Sequence, residues 1–227
     1  MLSVWAVVVA FAAAAESRAQ FFDDFNGDSL APHWQTLWPE PDAWDYEVSG
    51  GLLTVNSLNL PSSFGSPTNY QMLDTYIPPL FGEFTAIAVM GLSSGSHRTL
   101  SVQIAGSQAG SPPTILAGMA YRDGGVLRYG PGNTNVHPLA LEPGLHEFRM
   151  TRSGSQMAYF IDDVHIGTLS TSATHGAYWL RLMFDVDHPA GLPMTPMLVD
   201  HVSIVPTPAT GAIALLLFSM ACSRRRP

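Results

Sequence analysis

Three groups of side chains in this chain of 227 residues have types and spacings that could do chemistry. Asp185 and Asp187 stand one residue apart at the end of the apolar run from Ala177, with His188 behind them. Alternate residues of a strand point to one side, so the two carboxylates can face the same way at roughly 6 to 7 Å, within the range used to hydrolyse a glycosidic bond. The alternative is a solvated strand end. Tyr121, Arg122 and Asp123, with Arg128, Tyr129 and Asn133, occupy the two ends of one expected hairpin, and Asn135 and His137 follow. Rings beside amide, carboxylate and guanidinium groups suit a sugar, so this is the expected carbohydrate-binding surface. The other reading makes Tyr121 and Tyr129 cross-strand core partners and pairs Arg122 with Asp123 at a turn. Asp200 is the third case: by alternation it shares a side with Leu198, Val202 and Ile204, and Asp23 is likewise set between Phe21 and Phe25. A carboxylate in apolar company needs a partner, whether backbone N–H groups, an arginine or an ion.

Much other chemistry is excluded. The chain has no lysine, so Walker-type phosphate loops and Schiff-base mechanisms are ruled out. Its one cysteine, Cys222, lies in the last few residues, leaving the body of the protein without a disulfide or a thiolate metal site. His175, His188 and His201 fall on separate elements and lack the close spacing of metal ligands. No Gly-x-Ser-x-Gly nucleophile elbow is present. The formal net charge is −8, and a surface of that sign repels phosphate backbones, which argues against nucleic acid as a partner.

The elements that must position these residues are strands. Gly (20) and Pro (18) punctuate short runs that alternate apolar and polar residues. Thirteen strands are expected: 20–25, 44–48, 51–56, 71–77, 83–90, 99–105, 114–121, 126–129, 145–152, 156–162, 165–169, 177–185 and 198–205. No convincing amphipathic helix interrupts them. The fold class is therefore all-β, a two-sheet antiparallel sandwich, with Tyr178, Leu180, Leu182 and Phe184 lining the space between the sheets. One or two of Trp34, Trp38 and Trp44 should cap that core.

Both ends look like addresses. Leu2–Ala15 is apolar and of signal-peptide length, and Ser17-Arg18-Ala19 supplies small residues at the positions a signal peptidase reads, which places cleavage before Gln20. At the other end, Val205-Pro206-Thr207-Pro208 precedes an apolar stretch too short to be a comfortable membrane span, and Arg224, Arg225 and Arg226 follow. This layout resembles the PEP-CTERM sorting signal, although Thr207 stands where that signal usually has glutamate. The resemblance implies an exosortase-type sorting enzyme as partner, a short C-terminal apolar helix held transiently in the inner membrane, and release to the cell envelope or extracellular matrix. The expected organisation is a signal peptide at 1–19, one domain at 20–204 and a sorting tail at 205–227. Removing the ends takes away four arginines and one glutamate, so the domain is more acidic than the whole chain.

Between the ends, several stretches resemble the concanavalin A-like lectin/glucanase jelly roll of the laminin-G-like sort. They are Phe22-Asp23-Asp24-Phe25-Asn26-Gly27, Val48-Ser49-Gly50-Gly51-Leu52-Leu53, His146-Glu147-Phe148-Arg149, Tyr159-Phe160-Ile161-Asp162-Asp163 and Val199-Asp200-His201-Val202. The resemblance implies that first and last strands lie side by side near a structural calcium ion, with Asp200 as side-chain ligand and carbonyls around Asp23 and Gly51 assisting. Catalytic members of that group carry Glu-x-Asp-x-Glu on one strand, and no such string occurs here. The sequence thus leads to an exported, non-catalytic envelope protein associating with exopolysaccharide. A structural or adhesive protein that contacts other proteins is the first alternative, and a divergent glycan hydrolase the second.

Overall fold

The computed structural model describes residues 21–37, 44–57, 70–77, 83–92, 98–107, 114–122, 126–171, 177–186 and 196–206. Both terminal segments, with Thr207, Pro208, Arg224, Arg225 and Arg226, lie outside the described residues, as do Asp123, Asp187 and His188. Among the described residues no helix is long and apolar enough to cross a membrane.

Among the described residues, fifteen strands form two antiparallel sheets. Sheet A contains β1 (Phe21–Asp23), β3 (Trp44–Ser49), β4 (Leu52–Ser57), β6 (Phe84–Leu92), β11 (Gly144–Ser153), β12 (Gln156–Ile161), β13 (Val164–Ser170) and β15 (Met197–Pro206). Their order is β13-β12-β11-β6-β15-β4-β3, with β1 added alongside β15. Sheet B contains β2 (Trp34–Leu37), β5 (Tyr70–Ile77), β7 (Arg98–Ser107), β8 (Thr114–Arg122), β9 (Val126–Tyr129), β10 (Asn135–His137) and β14 (Ala177–Val186), in the order β10-β9-β8-β7-β14-β5-β2. All thirteen expected strands are present; β2 and β10 are additional. Val205 and Pro206, the start of the expected sorting motif, close β15 and pair with Thr85 and Phe84 of β6.

Alternation fixes which side of each strand faces in. Leu180, Leu182 and Phe184 of β14, Leu100, Val102 and Ile104 of β7, and Ala117, Met119 and Tyr121 of β8 form the inner face of sheet B. Phe148 and Met150, Tyr159 and Ile161, and Val202 and Ile204 do the same for sheet A, and one continuous core joins the two. Trp34 and Trp44 are buried in that core, as expected; Trp44 opens the expected strand at 44–48, and Trp34 opens the additional strand β2. The β3–β4 turn has Gly50 and Gly51 at φ 61° and 77°, the left-handed pair that a two-residue hairpin requires. Between β12 and β13 the same geometry falls on Asp162 and Asp163, at φ 45° and 65°.

Candidate functional site

The outer face of sheet B carries a row of polar groups that runs across its strands. Gln35, Asp74, Arg181, Gln103 and Gly118 lie directly opposite one another on five adjacent strands, forming one row across the sheet. Arg181 donates Nε and Nη2 to the two carboxylate oxygens of Asp74, each at 2.7 Å, with both side chains largely buried. Such a forked, charge-assisted pair fixes both groups in orientation as well as in charge. Gln103, 1% exposed, donates Nε2 to Ser101 Oγ at 3.0 Å, one step along the same face.

The neighbouring rows complete the face. Tyr76 is 59% exposed and meets Trp179 edge to face at 6.2 Å, which gives an aromatic shelf beside the polar row. On the other side lie Met72, Met183 and Ser101, and beyond them Asp185, opposite Thr99. Asp185 is half-buried and has an interaction partner. From above, Asn133 reaches in from the 3₁₀ turn Pro131–Asn133. The turn is tied down by Gly130 N–H donating to Gly118 O at 2.9 Å and Asn133 N–H donating to Gly130 O at 3.1 Å. Glycine at 118 is required there, because a Cβ would sit 2.8 Å from Asn133 Oδ1.

The residues expected to bind sugar are divided by this geometry. Arg128 is exposed on the outer face of β9 opposite Ala120, and Asn133 overlies the same face. Tyr121 and Tyr129 are on the inner face. Tyr121 is 6% exposed with its hydroxyl donating to Leu141 O at 3.0 Å, and Tyr129 packs on Tyr159 at 5.2 Å between ring centroids. Both tyrosines therefore face the core, as the alternative reading had it, but they are not cross-strand partners: Tyr121 stands opposite Leu127 and Tyr129 opposite Met119. The shelf is supplied instead by Tyr76 and Trp179, which alternation along β5 and β14 places opposite the core set Leu73–Ile77 and Leu180–Phe184. Arg122 ends β8 opposite Thr99 and Val126.

A second site lies where β15 changes partners. On one side β15 pairs with β6 throughout; on the other it pairs with β4 through Val199 and with β1 from Val202. A bulge between Val199 and His201 occupies the gap and upsets strict alternation, so Val199 and Val202 both face the core while Asp200 and His201 turn outward. This corrects the expectation that Asp200 shares a side with Val202 and Ile204. Its side chain is 46% exposed and contacts His201 Nδ1 at 2.7 Å. A cavity of about 330 Å³ opens here, lined by Phe22, Asp24, Asn26, Gly50, Gly51, Asp200 and His201. A Cβ on Gly51 would stand 3.0 Å from Asn26 Oδ1 and 3.8 Å from Asp24 O, so glycine leaves these oxygens uncovered. Carboxylate, amide and carbonyl oxygens are the hard donors that calcium takes, and the residues fit that ion.

Asp23 is turned inward, as alternation requires, and away from this cavity. Its carboxylate accepts from Trp34 Nε1 at 2.7 Å and Phe25 N–H at 2.9 Å, and meets His33 Nε2 at 3.0 Å. Among the described residues no cluster of three His, Cys, Asp or Glu side chains is arranged for a metal, so a cation here would rest largely on amide and carbonyl oxygens.

No family model and no curated protein matches the chain. Solved structures do. An endo-β-1,3-glucanase from Pyrococcus furiosus superposes with a TM-score of 0.63 at 14% identity, covering 84% of this chain and 94% of its own. LamAcat from Zobellia galactanivorans gives 0.61 at 14% identity, covering 85% and 99%. The Emp47p carbohydrate recognition domain gives 0.59 at 11% identity, covering 85% and 98%. The fold is thus the concanavalin A-like jelly roll, whose members in these structures bind or hydrolyse glycans. This corrects the expectation that the chain is not an enzyme. That expectation rested on the lack of one string, Glu-x-Asp-x-Glu, whereas structures named as glucanase, laminarinase and lichenase share the fold at 12–14% identity. At that divergence the loss of one string excludes nothing about catalysis.

Proposed function

We propose that the protein is an exported carbohydrate-active jelly roll whose glycan seat is the outer face of β5, β14, β7 and β8. The observation that carries this reading is the meeting, on one face, of the Tyr76–Trp179 shelf with the row Asp74, Arg181 and Gln103. Sugar rings need an apolar plate and fixed polar groups at its edge, and this face offers both on rigid strands. Exopolysaccharide is the proposed natural ligand, met after a signal peptidase removes the leader and a sorting enzyme processes the tail at Val205–Arg226. A calcium ion is proposed in the cavity beside Asp200. Hydrolysis at the same face is the second reading, favoured by Asp185 lying on it.

Affinity electrophoresis through gels containing laminarin or mixed-linkage β-glucan tests the seat. Wild-type protein should be retarded, and Trp179→Ala or Tyr76→Ala should run freely while keeping the same melting temperature. Migration unaffected by any polysaccharide would overturn the proposal. Reducing-end release from the same polymers, abolished in Asp185→Asn, would establish turnover. Intact mass and fractionation from the native host check export: the expected species begins near Gln20 and lacks Arg226.

A further inference from the structure

Glycan binding in general does not require the arrangement found around Ser101. Gln103 Nε2 donates to Ser101 Oγ at 3.0 Å, and Asn133 Nδ2 approaches the same oxygen at 3.5 Å. Both amides thus turn nitrogen toward one hydroxyl. Their oxygens, Gln103 Oε1 and Asn133 Oδ1, are buried and carry no hydrogen bond. A buried acceptor left unpaired is destabilising, and native proteins keep few of them. The chain accepts further strain at this point. Asn133 holds a left-handed φ of 55°, and Gly118 is stripped of a side chain to admit it. Backbone strain of this kind collects at ligand sites, where surrounding structure holds it in place.

The charges nearby are already spent. Arg181 is committed to Asp74 through both arms of its fork, and the pair presents no net charge to a ligand. Arg128 is on the same face but exposed at β9, where solvent and salt screen it. What remains at the centre is two oxygens that can only accept.

We infer that Gln103 and Asn133 are specificity-determining residues of the glycan seat and select uncharged, hydroxyl-donating glycans over those carrying uronate or sulfate. This rests on the glycan reading above. A sugar hydroxyl donates its proton to Gln103 Oε1 or Asn133 Oδ1 and satisfies it. A carboxylate or sulfate oxygen has no proton to give and sets acceptor against acceptor, within a protein of formal charge −8.

Titration calorimetry of the exported domain at low ionic strength tests this with laminarin and mixed-linkage β-glucan against alginate and carrageenan. The neutral polymers should bind and the acidic ones should not. Gln103→Leu and Asn133→Ala should each weaken neutral-glycan binding by about 3- to 10-fold, the worth of one hydrogen bond. Gln103→Leu should leave the melting temperature unchanged or higher, because it deletes an unpaired buried oxygen; a residue with a purely structural role would lower it. Asn133→Ala, on a surface turn, gives the same binding test should the core variant misfold. Binding of no polysaccharide would remove the glycan reading and this inference together. Equal binding of acidic polymers, or unchanged affinity in both variants, would overturn the inference alone.

Discussion

The middle of sheet B and the margins of sheet A handle carboxylates differently, although β11 of sheet A also carries an arginine, Arg149, which pairs with Glu147 and Asp163. In sheet B, Asp74 sits in the middle of an unbroken ladder and is held by the planar fork of Arg181. In sheet A and its margins, each of three carboxylates meets a histidine at a place where the ladder stops or turns: Asp23 with His33 beside β1, Asp162 with His146 at the β12–β13 turn, Asp200 with His201 at the bulge. A strand interior is poorly hydrated, so a charge there needs a partner with matching geometry. Turns and bulges leave the pair more exposed, and a single-contact partner suffices there. The forked pair anchors the proposed glycan seat, while one of the histidine-paired sites adjoins the proposed ion cavity.

The largest effect should come from breaking the forked pair. Arg181→Met leaves the Asp74 carboxylate buried without its partner and should lower unfolding free energy by about 3 to 5 kcal/mol, whereas the double change Asp74→Leu with Arg181→Met should recover most of the loss. Urea unfolding of the three proteins measures both numbers. A single-variant loss below about 1 kcal/mol would mean that the pair is hydrated and that the contrast between the sheets is false.

Next comes the cavity beside Asp200. An ion present at a hundredfold excess over its dissociation constant adds about 2.7 kcal/mol, equivalent to roughly 5 to 10 °C in melting temperature for a domain of this size. A chelator should therefore lower the wild-type melt by that amount and leave Asp200→Asn unaffected. Identical melts with and without chelator would remove calcium from the account of sheet A. A smaller effect is expected between the sheets. Gly167 lies under the Tyr129 ring, where a Cβ would stand 2.6 Å from ring atoms, so Gly167→Ala should destabilise by about 1 to 3 kcal/mol by forcing Tyr129 off Tyr159. Thermal melts would show it, with glycan binding unchanged because the contact is on the inner face.

How much of this was legible in the sequence depended on whether a residue obeys simple alternation. The thirteen expected strands, the buried Leu180–Phe184 set and the inward Asp23 all follow from a period of two, and all are where that period puts them. β2 and β10, Trp-Gln-Thr-Leu and Asn-Val-His, carry no apolar alternation to mark them. Asp200 was misplaced because one bulge shifts the sides of a strand, and a bulge made by Asp-His carries no glycine to announce it. Tyr121 and Tyr129 drew attention as aromatic groups near arginines, yet their strand positions match those of Leu100 and Met119, which are core. The seat itself was hidden because its members are spread over five strands from residue 35 to residue 181; only the register brings Asp74, Gln103 and Arg181 into one row.

The finest test of the contrast is titration of a histidine pair. His146 directs Nδ1 at Asp162 Oδ2, 2.6 Å away, and Nε2 at Glu142 O, 2.7 Å away. Both partners are acceptors, so only the doubly protonated ring can donate to each. Burial, the largest single influence, lowers the His146 pKa, but the Glu142 carbonyl and the hydrogen bond and charge of Asp162 together outweigh it, and the value lies above the ordinary 6.5. A raised pKa means that the folded state binds the proton more tightly than the unfolded one. The added stability is complete below about pH 6.5 and disappears as pH rises through the higher folded value. Asp162 also accepts from Glu147 N–H at 2.9 Å, a bond that does not titrate with the ring. Between pH 6 and 9 the unfolding free energy of wild-type protein should therefore fall by roughly 0.5 to 1 kcal/mol more than that of His146→Gln, the scale of a partly exposed ion pair. Parallel pH profiles for wild type and His146→Gln would show that the ring binds its proton no more tightly in the folded protein than in the unfolded one, and would remove this pair from the contrast.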